Sequence, residues 1–247
     1  MEAFSIPADC HNHSTQSPDG KNTLREMIER AIELGIGRYT ITDHLEINKF
    51  FDEEFLYEEP VRQSSVLLPQ LKKEYEGRLN LYYGVELGQP LHDMALTTRM
   101  LASYDYDFII GSCHMIRGYD DFYYLDYNQI DPQFLLGVYF EELLEMSEWG
   151  GFDVLGHLTY PLRYICGDSG IKIDMEPYED IIEEIVGEIN DEFDAMFVAI
   201  GAQKGKTLRI DGNDAGNVVS AVDILDQIGH GQSLLTGGLD GLSGGIV

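Results

Sequence analysis

Apolar positions over the first three quarters of the chain fall into two alternating rhythms, short β-like runs and longer stretches with a helical repeat. The helical rhythm is clearest between residues 23 and 35. There Leu24, Met27, Ile28, Ala31 and Ile32 share one face, Thr23 and Glu26 have the spacing of a capping box, and Gly35 supplies a stop. A strand is predicted next at Arg38–Thr42, with further strands at Leu79–Leu87, Phe108–Ser112 and Val154–Leu158. Further helices are predicted at Val61–Glu76, Gln133–Trp149 and Tyr178–Ile189. This alternation predicts an α/β fold with parallel strands joined by helices. After about Asn190 glycine becomes frequent, aromatic residues nearly vanish, and the closing GGLDGLSGGIV has no period. A domain boundary is therefore expected near residue 190, leaving 191–247 as an appendage. Within the appendage Phe197–Gly201 reads as a buried strand, Val218–Ile228 as a helix, and about the last ten residues as a disordered tail.

Composition narrows the partners. The 247 residues suit one large domain, and 44% hydrophobic content supports a core and excludes a disordered chain. Sixteen Lys and Arg against 44 Asp and Glu give a formal charge of −28, a field that repels nucleic-acid backbones and anionic membranes. Neither is expected as a partner. A small phosphate ester stays open, provided that its pocket brings cations of its own, metal ions or arginine. Cys10, Cys113 and Cys166 are an odd set at no zinc-ribbon spacing, which suits a reducing cytoplasm. The opening MEAFSIPADCHNHS lacks signal-peptide features, and no stretch reaches the ~18 apolar residues of a membrane span. A soluble cytoplasmic protein is expected, its oligomeric state left open.

Histidine placement carries the chemistry. Of the seven histidines, six precede residue 160, and five of those stand at or just past the C-terminal end of a predicted strand. His11 and His13 are two apart, so strand alternation turns both rings to one side. Asp43 and His44 end the next strand, Glu86 ends YYGVEL, His114 ends IIGSCH and His157 ends DVLGH. In a barrel of parallel strands these ends meet on one face, where active sites are built. The nitrogen and oxygen ligand set, free of thiolate, suits zinc, manganese or iron, and metal-assisted hydrolysis is the matching reaction class. Asp19, in the turn SPDG, could add a carboxylate, and Asp43 is an alternative to His44 as ligand. His92 and His230 read as bystanders and Cys113 as a core residue. Arg163, in LTYPLRYI, is a scarce cation that could fork onto a phosphate.

With these residues in view, the first ~190 positions resemble the polymerase-and-histidinol-phosphatase (PHP) superfamily of metal-dependent phosphoesterases, and most closely its histidinol-phosphatase branch. DCHNHSTQSPDGK resembles the family's opening metal motif, and YTITDH, YYGVEL, FIIGSCH and DVLGHLTYPLRY resemble the second to fifth, the last with its arginine. The resemblance implies a distorted barrel of seven βα units and a centre of up to three divalent metal ions. It implies His11 and His13 on the first metal, Glu86 bridging to a second that His114 and His157 complete, and Asp19 and His44 on the third. In-line attack on phosphorus would be assisted by the metals and Arg163, and the implied substrate is L-histidinol phosphate.

The family's Asn-containing signature and its closing Asp-x-His strand have no counterpart after His157. An incomplete barrel is therefore expected, truncated at its C-terminal strands, with the first metal short of one ligand and activity impaired. Another small phosphoester as substrate, or a silent metal-binding chimera, are the alternatives. Residues ~191–232 resemble an internal stretch of flavin-dependent, NAD(P)-linked reductases related to the glutamate synthase small subunit. They lack the Gly-x-Gly-x-x-Gly fingerprint that would seat a dinucleotide, so neither FAD nor NAD is expected to bind.

Overall fold

The computed structural model describes residues 8–48 and 58–192, together with the backbone of two short strands at 196–198 and 218–220. Six strands form one parallel sheet: β1 (Ala8–Asp9), β2 (Arg38–Ile41), β3 (His44–Glu46), β4 (Asn80–Gly88), β5 (Phe108–Ser112) and β6 (Val154–Leu155). The order is β1-β2-β4-β5-β6, with β3 pairing the far end of β4, and the sheet curls so that one face becomes an interior. Helices α1 (Leu24–Glu33), α2 (Glu58–Glu74), α3 (Met94–Ser103) and α4 (Pro132–Trp149) connect the strands. The short turn α5 (Tyr160–Leu162) runs into a π-helical segment, Arg163–Asp168, and α6 (Glu179–Glu192) packs on α4. Strands β7 (Met196–Val198) and β8 (Val218–Ser220) form a separate parallel pair. No helix among the described residues is long and apolar enough to cross a membrane.

Local chemistry explains these elements. Thr23 and Glu26 close a reciprocal capping box on α1, which buries Leu24, Ile28 and Ala31 and ends at Gly35 with φ +75°. Helix α4 starts at Pro132, with Asp131 capping Gln133 N, and stops at Gly150 with φ +61°. Strand β4 is the centre of the sheet. Its odd positions, Leu81, Tyr83, Val85 and Leu87, lie in the core, and the Tyr83 hydroxyl donates to Val61 O of α2 at 2.6 Å. Its even positions, Tyr82, Gly84, Glu86 and Gly88, turn to the concave side. A Cβ on Gly84 would stand 2.7 Å from Thr40 Cγ2, so the close approach of β2 and β4 requires glycine there.

Several predicted boundaries move. Val154–Leu158 shortens to Val154–Leu155 because His157 adopts φ +48°, a conformation no strand continues through. His11 and His13 follow β1 rather than lying within it. Their segment is held by Thr42 instead, whose N–H donates to Asn12 O and whose hydroxyl accepts from Asn12 N, both at 2.9 Å. Strand β3 and helix α3 had no counterpart among the predicted elements. Val218–Ser220 is a strand where a helix was expected, its two β-branched valines paired with Met196–Val198. The rest of Val218–Ile228, the end of Phe197–Gly201, His230 and the tail lie outside the described residues.

Asp43 ties the first loop to the sheet. Its buried carboxylate accepts from Ser14 N (2.8 Å), Ser14 Oγ (2.9 Å), Ser17 Oγ (2.8 Å) and Ser64 Oγ of α2 (3.1 Å). Its lone pairs are thus spent on the loop that carries Asp19 and on α2. Asp43→Ala is expected to lower the unfolding free energy by about 3 kcal/mol, because buried donors lose a charged acceptor. Urea unfolding followed by circular dichroism checks this, and a loss below about 0.5 kcal/mol would contradict the role.

Candidate metal centre

The centre is built around one carboxylate. Parallel register sets His44 of β3 beside Glu86 of β4, with Ile110 of β5 on the other side. Glu86 is wholly buried on the concave face, and the Ser112 hydroxyl donates to its Oε1 at 2.7 Å. Five imidazoles surround it. Near Oε2 stand His11 Nε2 (3.3 Å), His13 Nε2 (3.3 Å) and His44 Nδ1 (3.2 Å). Near Oε1 stand His114 Nε2 (3.1 Å) and His157 Nε2 (3.4 Å). The rings pack on one another, His13 stacked on His44 with centroids 4.3 Å apart and His11 5.1 Å from His157.

These spacings suit metal coordination. Glu86 Oε2 and His44 Nδ1 are buried without a hydrogen-bond partner among the described residues, although they lie 3.2 Å apart. Donor separations near 3.3 Å are the edges of a tetrahedron with metal–ligand bonds of about 2.0 Å. Three groups have all their donor atoms within 4.8 Å of one another: His11, Glu86 and His157; His13, His44 and Glu86; His44, Glu46 and His114. They overlap because the donors are so closely packed. The nearer Glu86 oxygen divides the imidazoles more simply. It sets His11, His13 and His44 on one side and His114 and His157 on the other.

Burial and charge set the protonation of the ring. Burial holds His157 down to about 3, against the pull of Glu86, and also lowers His13, so both offer neutral nitrogen. For His44 burial is overcome by the Glu86, Asp19 and Glu46 carboxylates, which raise it to about 10. His114 is likewise raised by Glu46 and Glu86 against its burial. Burial opposes the ionised Glu86, yet the His114 and His44 charges hold its carboxyl well below the usual range.

Of the other predicted residues, Asp19 lies more than half exposed, with Oδ1 3.5 Å from His44 Nε2. Arg163 is exposed, its guanidinium 5.7 Å from the Tyr164 ring centre and without an ion pair among the described residues. Tyr164 donates its hydroxyl to that of Tyr160 at 3.2 Å, and the Tyr160 ring lies 5.0 Å from His114, so an aromatic series links Arg163 to the imidazoles. His92 is buried against Glu142, with Nε2 2.7 Å from Oε2, and Cys113 is buried in the core. Glu46 escaped the sequence reading. It is buried, with Oε1 2.8 Å from His114 Nδ1 and 3.0 Å from His44 Nδ1. The signal was present, because His44 and Glu46 have the same two-residue spacing as His11 and His13.

Comparison with known proteins agrees with this architecture. The chain is 24% identical over 160 residues to "Probable histidinol-phosphatase" of Deinococcus radiodurans, covering 63% of this chain and 62% of that protein. It is 26% identical over 181 residues to the protein of the same name from Clostridium acetobutylicum, covering 72% and 67% respectively. The chain therefore spans less than two thirds of the length of the first relative. The solved histidinol phosphate phosphatase of Lactococcus lactis, complexed with zinc, L-histidinol and phosphate, shares the fold. Its TM-score is 0.63 at 23% identity, covering 78% of this chain and 72% of that one. A PHP domain model matches residues 9–200, past the boundary expected near 190. Running from the first strand to beyond α6, that match makes this chain a member of the PHP domain family.

Proposed function

We propose that the chain is a metal-dependent phosphomonoesterase that hydrolyses L-histidinol phosphate to histidinol and phosphate in the cytoplasm. The observation that carries the reading is the buried Glu86 carboxylate, with imidazole nitrogens against both oxygens and one oxygen lacking any hydrogen bond. The relatives named as histidinol-phosphatases, and the Lactococcus lactis protein with zinc, L-histidinol and phosphate bound, support the substrate.

In this reading His11 and His13 with Glu86 would hold one ion, and Glu86 with His114 and His157 would hold another. Asp19 and His44, whose Oδ1 and Nε2 lie 3.5 Å apart, would hold a third. Bound zinc, manganese or iron would polarise a phosphoryl group and acidify water at neutral pH. The chain's own residues do the rest. Ser112 fixes the Glu86 carboxylate, burial keeps His13 and His157 in the neutral form that donates a lone pair, and Asp43 holds the loop that presents Asp19. Arg163 receives the phosphate oxygens with its planar fork, a cation without an ion pair among the described residues of a strongly acidic chain. Residues 191–247 are read as an appendage to this domain, and the reductase-like stretch within it is assigned no flavin or nicotinamide.

Phosphate release from L-histidinol phosphate, by protein loaded with manganese, zinc or iron, tests the reading. Turnover is expected, with His114→Ala at least about 100-fold slower. A folded, metal-loaded parent without turnover would leave metal binding alone, and turnover of a different phosphoester only would reassign the substrate. Arg163→Ala is expected to raise KM about tenfold at unchanged metal content, the loss of one charge-assisted contact. A drop in bound metal would overturn its assignment to phosphate. Zinc at about 100 times its Kd is expected to stabilise the fold by about 2.7 kcal/mol. Thermal denaturation with zinc and then with a chelator measures this, and an unmoved Tm would refute tight binding to the native state.

A further inference from the structure

Glu46 does not belong to the ligand set carried by the sequence motifs, and its surroundings give it a different task. The side chain is buried at the end of β3, directly across from Gly88 of β4. A Cβ on Gly88 would come within 2.0 Å of Glu46 Oε2, so the carboxylate occupies the space that glycine leaves. The Gln89 side-chain amide donates to the same oxygen at 2.6 Å. Gln89 is held in turn: its Oε1 accepts from His114 N at 2.7 Å, its own N–H donates to Ser112 O at 2.8 Å, and its backbone sits at φ +46°. A non-glycine residue keeps that conformation only where its surroundings enforce it.

This bracket closes most tightly on His114, although Glu46 Oε1 also lies 3.0 Å from His44 Nδ1. Gln89 grips the backbone of His114, and Glu46 Oε1 meets its side chain at Nδ1, 2.8 Å away. The opposite nitrogen, Nε2, faces Glu86 Oε1 at 3.1 Å. An ion held beside Glu86 would take the lone pair of Nε2, and the one proton of the neutral ring would then sit on Nδ1, where Glu46 accepts it. We propose that Glu46 is a positioning residue for the metal centre: braced by Gln89 and admitted by Gly88, it fixes the tautomer and orientation of the His114 ring. The inference rests on the metal-centre reading above. It assigns Glu46 to the far side of the ring, not to an ion.

Zinc affinity, measured by competition with a chromophoric chelator, tests the role without reference to turnover. Glu46→Ala is expected to bind the same number of zinc ions as the parent, with the weakest site loosened about 10- to 100-fold. Glu46→Gln, which keeps an acceptor oxygen but loses the charge, is expected to lie between the two. Gly88→Ala keeps the carboxylate but displaces it, and should loosen zinc as Glu46→Ala does. Ring nitrogen NMR supplies a second readout. In the parent, the His114 Nδ1–H signal should be present and slow to exchange, and it should be lost or shifted in the Glu46 variants. Circular dichroism identifies any variant that has not folded, and Gly88→Ala and Glu46→Gln then carry the comparison.

Unchanged zinc affinity and an unchanged Nδ1–H signal in folded variants would overturn the positioning role while leaving the metal reading intact. Loss of one whole equivalent of zinc in Glu46→Ala would overturn it differently, by making Glu46 a ligand. A parent that binds no zinc would fail the metal reading itself, and the positioning role with it.

Discussion

The architecture depends on burying one negative charge. Glu86 sits at the end of the central strand with no exposure to water, a placement that costs several kcal/mol unless the charge is compensated. Compensation comes from residues distant in the chain, His11 and His13 after β1, His44 on β3, His114 after β5 and His157 after β6. Only parallel strands deliver all these positions to one end. The parallel sheet and the ring of imidazoles are thus a single constraint seen from two sides, because an antiparallel neighbour would send its C-terminal end to the opposite face.

The two sides of β4 show how one strand serves core and centre together. Leu81, Tyr83, Val85 and Leu87 pack outward, while Gly84, Glu86 and Gly88 face the concave side. The two glycines make room on either side of the carboxylate. Thr40 and Thr42 fill the gap above Gly84, and Glu46 fills the one above Gly88. An ordinary strand would bear branched side chains at both positions and gain packing. Here that packing is replaced by space for polar groups of defined orientation.

Much of this was legible in the sequence, for identifiable reasons. Helices α1 and α4 announce themselves by their caps, α1 also by its periodic face, and the principal strands by apolar runs that end in chemically distinctive residues. The candidate histidines were singled out because each stands at or just past the end of such a run, Glu86 because it ends YYGVEL, and Asp19 because of the turn SPDG. What escaped was held by tertiary contacts of low sequence signature. Strand β3 is three residues long and exists through its register with β4, helix α3 has a mixed polar face, and Val218–Ser220 follows strand pairing over helical spacing. Asp43 and His44 could not be separated as ligands by spacing alone. In the structure their surroundings differ: serines of the first loop and of α2 donate to Asp43, whereas His44 Nδ1 lies 3.2 Å from Glu86 Oε2.

The polar residues behind the imidazoles follow a stability argument as much as a functional one. A buried ring nitrogen with no partner is costly, and each histidine around Glu86 has a second nitrogen to satisfy. At His114 the solution is complete: Glu86 on one nitrogen, Glu46 on the other, and Gln89 on the backbone N–H. Valine or isoleucine at position 46 would suit a short buried strand better but would strand the Nδ1–H of His114 in the interior. The sequence of β3 is therefore set from the centre outward, with His44 chosen opposite Glu86 and Glu46 opposite a glycine that alone can admit it. A strand of three residues persists because its side chains complete an electrostatic arrangement that its backbone pairing alone would be too short to justify.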